Sequence, residues 1–474
     1  MIRRILCVIL CLSLSACSFI TLRDAEPARE AEDAVPLPPE TEPEPKTSPP
    51  FPFDTDPVSA AAPETAVKSE PVETERNEPD APDDGAALAA STVPKPENEA
   101  QPEPISEPLP ESEPEPKTEG GPVRFEGASV SFVAAGDNLI HPNIYIDAGL
   151  RGNAEKKYDF LPMYEYVAEE FRAADVAFIN QETVMAGEAY GYSGWPCFNC
   201  PSQLGLDLVS MGIDIVNMAN NHMLDKGAQG LADTIAFWEQ QPVTILGAYK
   251  DEEDAARIRV TEKDGIRFAW LSYTLSTNGI VKPASSPLVI PYIDADRIVS
   301  DLAKARDAGD FVIVSIHWGD ENTQEPNSDQ KWLSRIIADN GADLILGHHS
   351  HTLQPIEWIE TERGRTLCIY SLGNYVSGMA RPVNQVGGMF HFTVASDGKG
   401  GLEIRDAYLH PTVFYYGMDW YNTKVYPMEN YTEEIAAAHG VAISGYRLTP
   451  ADARAFVTNV IPDEFLPEWM KPAA

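Results

Sequence analysis

DLILGHHSH, residues 343–351, is a short apolar run that ends in three histidines. A run of this length bounded by glycine reads as a buried strand of a parallel sheet. Metal-competent side chains at its carboxyl end lie on the edge where open α/β sheets bind ligands. The arrangement recurs along the chain. VIVSIHWG (312–319) ends in His317, and the first strand runs into Gly136-Asp137-Asn138-Leu139-Ile140-His141. Two further strands end in Asn180-Gln181-Glu182-Thr183 and in Ala219-Asn220-Asn221-His222, the latter followed by Asp225. Six of the nine histidines thus fall at strand ends, a clustering that argues against isolated core or surface histidines.

Around these points, short apolar runs alternate with amphipathic segments from Gly127 onward, which predicts an α/β layer architecture. The predicted strands are Val130–Ala135, Asp175–Asn180, Ile213–Ala219, Val243–Leu246, Arg267–Tyr273, Phe311–His317, Asp343–Leu346 and Leu367–Ser371. The predicted helices are Leu161–Ala173, Gln203–Met211, Ala228–Gln240, Ala295–Ala308 and Asp329–Asn340. Carboxylate and amide oxygens with imidazole nitrogens form the ligand set of a divalent Mn, Zn or Fe ion, one or two of them. His349 and His351 are two apart, so on an extended segment both rings would face one way and grip one ion.

The segments YDFLPMYEYV, ADVAFINQET, GIDIVNMANNHMLDKG, VSIHWGDE, GADLILGHHSHTLQPIE and IYSLGNYVSG, in that order, resemble the bacterial CapA family, associated with poly-γ-glutamate capsule synthesis. The resemblance covers about Ser129 to Ala395. It implies the fold of the calcineurin-like metallophosphatases, a four-layer α/β/β/α sandwich with a two-metal site at the strand ends. It also implies roles. Asp137, Glu182, Asn221, His222, His317, His349 and His351 would be metal ligands, Glu182 standing at the metal-bridging position. His222 or His141 would be the general acid, with Asp225 and Asn374 supporting from behind. The chain departs from the metallophosphatase pattern at two ligands: Asn138 and Leu139 follow Asp137 where Asp-X-His is expected, and Glu182 replaces an aspartate.

The resemblance implies a role in capsule production or export, with poly-γ-glutamate and membrane synthase subunits as partners. The alternative is a metal-dependent hydrolase, a phosphoesterase or amidase, acting on another cell-surface substrate.

The first quarter of the 474 residues reads differently. Arg3 and Arg4 precede an apolar run from Ile5 to Leu14, the layout of a secretion signal, and Leu14-Ser15-Ala16-Cys17 resembles a lipobox. Residues 1–17 are therefore expected to be a lipoprotein signal peptide, with Cys17 lipidated and the protein held extracytoplasmically on a bacterial membrane. Residues 18–122, rich in Pro, Glu, Ala and Thr, lack the apolar content to fold and are expected to form a disordered, extended tether. Residues 123–410 are expected to form the metallophosphatase-like domain that the resemblance implies, and 411–474 an aromatic-rich extension packed on it. The net charge of −38 is shared between tether and folded part, which excludes nucleic acid as a partner. Cys197-Phe198-Asn199-Cys200 suits a local disulfide or two thiols, and Cys368, in an apolar run, a buried thiol. Trp195, Trp318 and Tyr375 flank the strand-end motifs, either lining a cleft or packing beneath the loops.

Overall fold

The computed structural model describes residues 124–471. The signal-like segment with Cys17 and the Pro/Glu-rich stretch lie outside the described residues. Fourteen strands are present among the described residues: β1 (Ser129–Leu139), β2 (Val176–Asn180), β3 (Ile215–Asn217), β4 (Thr244–Leu246), β5 (Arg259–Lys263), β6 (Ile266–Thr274), β7 (Phe311–His317), β8 (Leu344–His348), β9 (Ile356–Thr361), β10 (Gly364–Ile369), β11 (Asn374–Ser377), β12 (Val386–Ser396), β13 (Leu402–Tyr415) and β14 (Lys424–Pro427). The α-helices are α1 (Pro142–Arg151), α2 (Ala168–Ala173), α3 (Gln203–Ser210), α4 (Gly227–Trp238), α5 (Glu252–Ala256), α6 (Ala295–Ala308), α7 (Ser328–Asp339), α8 (Glu433–Ala437) and α9 (Pro450–Thr458).

The strands form two sheets. One has the order β14-β13-β12-β1-β2-β3-β4, with β11 also paired to β1; the other has the order β5-β6-β7-β8-β10-β9. In the second sheet β7, FVIVSIH, is buried at every position, as a central parallel strand covered on both faces must be. Its parallel register sets Thr274, His317 and His348 side by side at the strand ends. In the first sheet the parallel register of β1, β2 and β3 does the same for Asp137, Asn180 and Asn217. Parallel pairing thus gathers chemistry that is scattered over more than two hundred residues of sequence.

The sheets pack face to face through large apolar side chains. Phe132 of β1 meets Phe268 of β6 edge-on at 4.9 Å, and Phe178 of β2 lies parallel to Trp270 of β6 and to His348 of β8 at 6.1 and 5.7 Å. Ser272 of β6 also donates its hydroxyl to Asn217 of β3. On the far side of the second sheet, Ile298 and Leu302 of α6 and Leu333 and Ile337 of α7 join Val312, Val314 and Ile345 in a separate core. Leu204 and Leu208 of α3, with Leu231 and Trp238 of α4, pack with the first sheet. The result is the expected four-layer α/β/β/α sandwich.

Local sequence accounts for the boundaries. Asp294 caps α6 by accepting the Arg297 N–H at 2.8 Å, and Asn327 with Gln330 forms a capping box at α7. Asp264 and Gly265 both have positive φ, 49° and 73°, the two-residue turn that closes the β5–β6 hairpin. The predicted helix Leu161–Ala173 is broken into a 3₁₀ turn, Leu161–Met163, and α2. At the break Tyr164 turns inward, donates its hydroxyl to Asn138 Oδ1 at 3.0 Å and stacks on Tyr375. Cys197, Cys200 and Cys368 are all free thiols, so of the two readings of the Cys197/Cys200 pair the structure takes the thiols. Beyond β13, β14 adds an edge strand, and Tyr416, Tyr431, Val441 and Leu448 enter the main core. No helix among the described residues is long and apolar enough to cross a membrane.

Phe178 bridges the two sheets, so Phe178→Ala leaves a cavity at their interface. Urea unfolding should report a loss of about 3–5 kcal/mol. A loss below about 1 kcal/mol would show that the sheets do not depend on this contact.

Candidate metal centre

The two rows of strand ends face each other, and the side chains they carry are removed from water. Asp137, Glu182, His317 and His351 are all at most 2% exposed. Asp137 sits beyond an irregularity in β1 and next to Gly136, where any Cβ would run into the Gly373 carbonyl. One Asp137 oxygen accepts the Asn180 amide at 2.8 Å; the other accepts the His349 N–H at 3.3 Å and lies 3.2 Å from His351 Nδ1. Burial alone would raise its pKa, but the His351 ring more than offsets this and keeps the carboxylate charged.

Glu182 is in the opposite situation. Both of its carboxyl oxygens are buried without a hydrogen-bond partner. His317 Nε2 is 3.6 Å away and His351 Nε2 3.8 Å. Burial, reinforced by the nearby Asp137 charge, pushes its pKa well above the ordinary carboxylate range. A buried acceptor left unpaired costs about 1–3 kcal/mol, more when charged.

Lone pairs converge on a second point as well. His317 Nε2 lies 2.9 Å from Asn221 Oδ1 and 3.0 Å from His349 Nδ1. A single ring proton can satisfy only one of these acceptors. Burial drives His317 well below its ordinary pKa and His349 to about 4, so both rings are neutral and able to act as ligands. His351 donates from Nδ1 to Asn374 Oδ1 at 3.0 Å, and Asn374 in turn donates to the Asn384 carbonyl. That leaves His351 Nε2 aimed at Glu182, with the orienting hydrogen bond that ligand imidazoles carry.

The side chains fall into two ligand groups, Glu182 with His317 and His349, and Asp137 with Glu182 and His351. Glu182 belongs to both. This arrangement suits divalent metal: the orphaned carboxylate and the crowded nitrogens are the atoms a cation would satisfy. His349 and His351 therefore serve different groups, in contrast to the single grip expected of an extended segment. The backbone explains the difference, because β8 ends at His348 and both residues have positive φ, 93° and 57°. For non-glycine residues such conformations cost on the order of 1–3 kcal/mol and persist where surrounding structure enforces them.

The other predicted residues surround the groups. Asn221 accepts at His317 as described, and its own amide reaches Asn278 Oδ1 at 3.3 Å. His222 is in neither group. Its Nδ1 donates to Asp225 Oδ2 at 2.8 Å, an oxygen that also accepts the Phe198 N–H at 2.6 Å, so its Nε2 is left for the adjoining cavity. His141 accepts the Gly378 N–H at Nδ1, 3.0 Å, which places its proton on Nε2; burial lowers it to about 4, so it is neutral. His348, also lowered to about 4 by burial, packs against Phe178 with its Nδ1 3.8 Å from Asp137 Oδ1, and belongs to neither group.

The cavity has a volume of about 470 Å³; its walls include His141, Trp195, His222, Glu321, Arg381 and Tyr446. Trp195 is 64% exposed at its rim, whereas Trp318 and Tyr375 are buried packing residues. Glu321 and Asn278 were not singled out from sequence. Glu321 follows directly on the His317 strand in HWGDE, a readable signal; Asn278 comes from a loop after β6 that carries none.

Residues 131–379 match the model of a family described as bacterial capsule synthesis protein PGA_cap. Over 205 residues the chain is 33% identical to the PGA biosynthesis protein CapA of Bacillus subtilis, covering 43% of this chain and 53% of that protein. Over 170 residues it is 33% identical to the capsule biosynthesis protein CapA of Bacillus anthracis, covering 35% and 40%. The chain thus spans about half the length, or less, of these curated relatives. Among solved structures, a 5'-nucleotidase precursor from Thermus thermophilus aligns with a TM-score of 0.39 at 14% identity, over 60% of this chain and 54% of that one.

Elemental analysis of the purified chain should find bound divalent metal, and His349→Ala/His351→Ala should lower the count by one or two ions per chain. Glu182→Gln, which touches both groups, should lower it as far. Unchanged metal content in these variants, still folded by circular dichroism, would remove the centre.

Proposed function

The chain belongs to the bacterial capsule synthesis protein family, and from that premise we propose that it acts in poly-γ-glutamate capsule synthesis or export, as a lipid-anchored extracytoplasmic protein with a divalent-metal centre. The observation that carries this reading is the pair of ligand groups sharing Glu182 beside an open cavity. Anchoring rests on the sequence of residues 1–17 alone. On this reading poly-γ-glutamate is the polymer handled and the membrane synthase subunits are the neighbours.

A second reading, a hydrolase acting on an amide or phosphoester bond of that or another surface polymer, is favoured by the His222–Asp225 pair at the cavity wall. Divalent metal held at one or both groups, by Glu182, His317 and His349 with the Asn221 amide oxygen and by Asp137, Glu182 and His351, would polarise the scissile group and lower the pKa of an attacking water. Mn, Zn and Fe all suit this mixed donor set.

The chain's own residues supply the rest. Asp225 accepts the His222 Nδ1 proton and so fixes the ring with Nε2 toward substrate, where Nε2 can take a proton from the attacking water and then pass it to the leaving group. His141, neutral and protonated at Nε2, can donate a hydrogen bond to an oxygen that gains charge. Arg381 gives the cavity a cation for an anionic chain, which the overall acidity of the protein would otherwise repel.

Incubating the metal-loaded chain with poly-γ-glutamate and with model phosphoesters tests both readings. Turnover, with His222→Gln reducing it by about 10²–10⁴-fold at unchanged metal content, is the result expected of the hydrolase. Asp225→Asn should give a smaller loss, since it disturbs only the ring's orientation. Polymer binding without turnover, surviving loss of the histidines, would leave a non-catalytic assembly role; neither binding nor turnover would sink both readings. For the anchor, Cys17→Ser should move the protein from the membrane fraction to the soluble one.

A further inference from the structure

Outside the centre, a second cluster of ligand-type side chains lies where α2 meets the first sheet. His391 of β12 and His410 of β13 both reach the same oxygen of Glu170 on α2: His391 Nε2 is 2.8 Å and His410 Nδ1 2.9 Å from Glu170 Oε2. The strand register creates the pair. His391 is opposite Tyr408 and His410 opposite Met389, so the two histidines sit diagonally on one face of an antiparallel pair. That face is turned from the second sheet, because Phe392, the next residue along β12, stacks on Phe132, which in turn packs against Phe268.

Each ring is held in place. His391 lies flat on Tyr408 at 4.8 Å, and His410 Nε2 is 3.0 Å from a Glu429 oxygen. An imidazole with one nitrogen turned to a shared point and the other donating to a carboxylate is the arrangement of a metal-bound histidine. The three side chains are 15–22% exposed, so one side of the cluster opens to water.

We propose that Glu170, His391 and His410 form a separate zinc site, with Glu429 orienting His410 and a fourth position left for water. Two imidazoles and one carboxylate match tetrahedral zinc, whereas magnesium and calcium prefer oxygen-only sets. The ligand atoms already lie within 4.8 Å of one another. With zinc–ligand bonds of about 2.0–2.1 Å, a side-chain shift that parts each imidazole from Glu170 Oε2 admits the ion. The site fastens α2 to β12 and β13 and is independent of the Glu182 groups. Without the ion, protons fill the same contacts, with His410 held as an imidazolium between Glu170 and Glu429.

The test uses the full chain carrying His349→Ala/His351→Ala, stripped with chelator and titrated with Zn²⁺ against a chromophoric competitor. One tight zinc per chain is expected, with the intense visible absorption of a tetrahedral site when Co²⁺ replaces it. Adding His410→Gln or Glu170→Gln should weaken binding at least 100-fold, and Glu429→Gln about 10–100-fold. Two ligand variants are specified so that either can serve if the other does not fold. No tight zinc in the folded background, or zinc affinity unchanged by whichever of these ligand substitutions folds, would overturn the proposal.

Discussion

Two carboxyl groups that water does not reach, Asp137 and Glu182, set the condition that the rest of the site has to meet. Buried charge must be paired, coordinated or neutralised. Asp137 is paired, through Asn180, the His349 N–H and His351. Glu182 is not, and the side chains closest to it are imidazoles that burial keeps neutral or that are oriented from behind by an amide. The parallel registers of the two sheets exist in the same sense: they bring those imidazoles to the one place where an unpaired carboxylate is tolerable.

Much of this was legible in sequence, because a parallel strand announces itself as an apolar run and its carboxyl end as the first polar residues after it. Phe311–His317 and Ala295–Ala308 are found at their predicted bounds, the first set by continuous apolarity and the second by Asp294 and Gly309. The strand-end histidines follow from the same pattern. β5 is absent from the predicted strands, although its turn to β6, Asp264-Gly265, is a pair that suits two positive-φ positions. The long antiparallel strands β12 and β13 were less legible. Gly387 and Gly388 weaken the β signal of the first, and the exposed half of the second is polar, so neither resembles the buried strands of the centre.

What sequence spacing could not give is backbone conformation at the His349–His351 turn. A two-residue separation implies parallel side chains only if the segment is extended. Here both histidines have positive φ, and the turn sends them into different ligand groups that share Glu182. The strain lies where the ligands lie, in keeping with a backbone held by its surroundings rather than by local preference. The Asn278 contact is illegible for a related reason, since a loop residue gains its role from where the fold delivers it.

One wall of the cavity is built by Ser444 and Tyr446, which belong to the stretch after β14 and lie outside the residues matched by the family model. The buried ligand groups and this part of the cavity rim are therefore written on separable parts of the chain. Tyr446 is 44% exposed and Ser444 is also open to solvent, so changes there leave the buried carboxylates and their imidazoles undisturbed. In evolutionary terms such a layout decouples innovation from risk: this part of the cavity rim can drift in sequence while the side chains at the strand ends stay fixed.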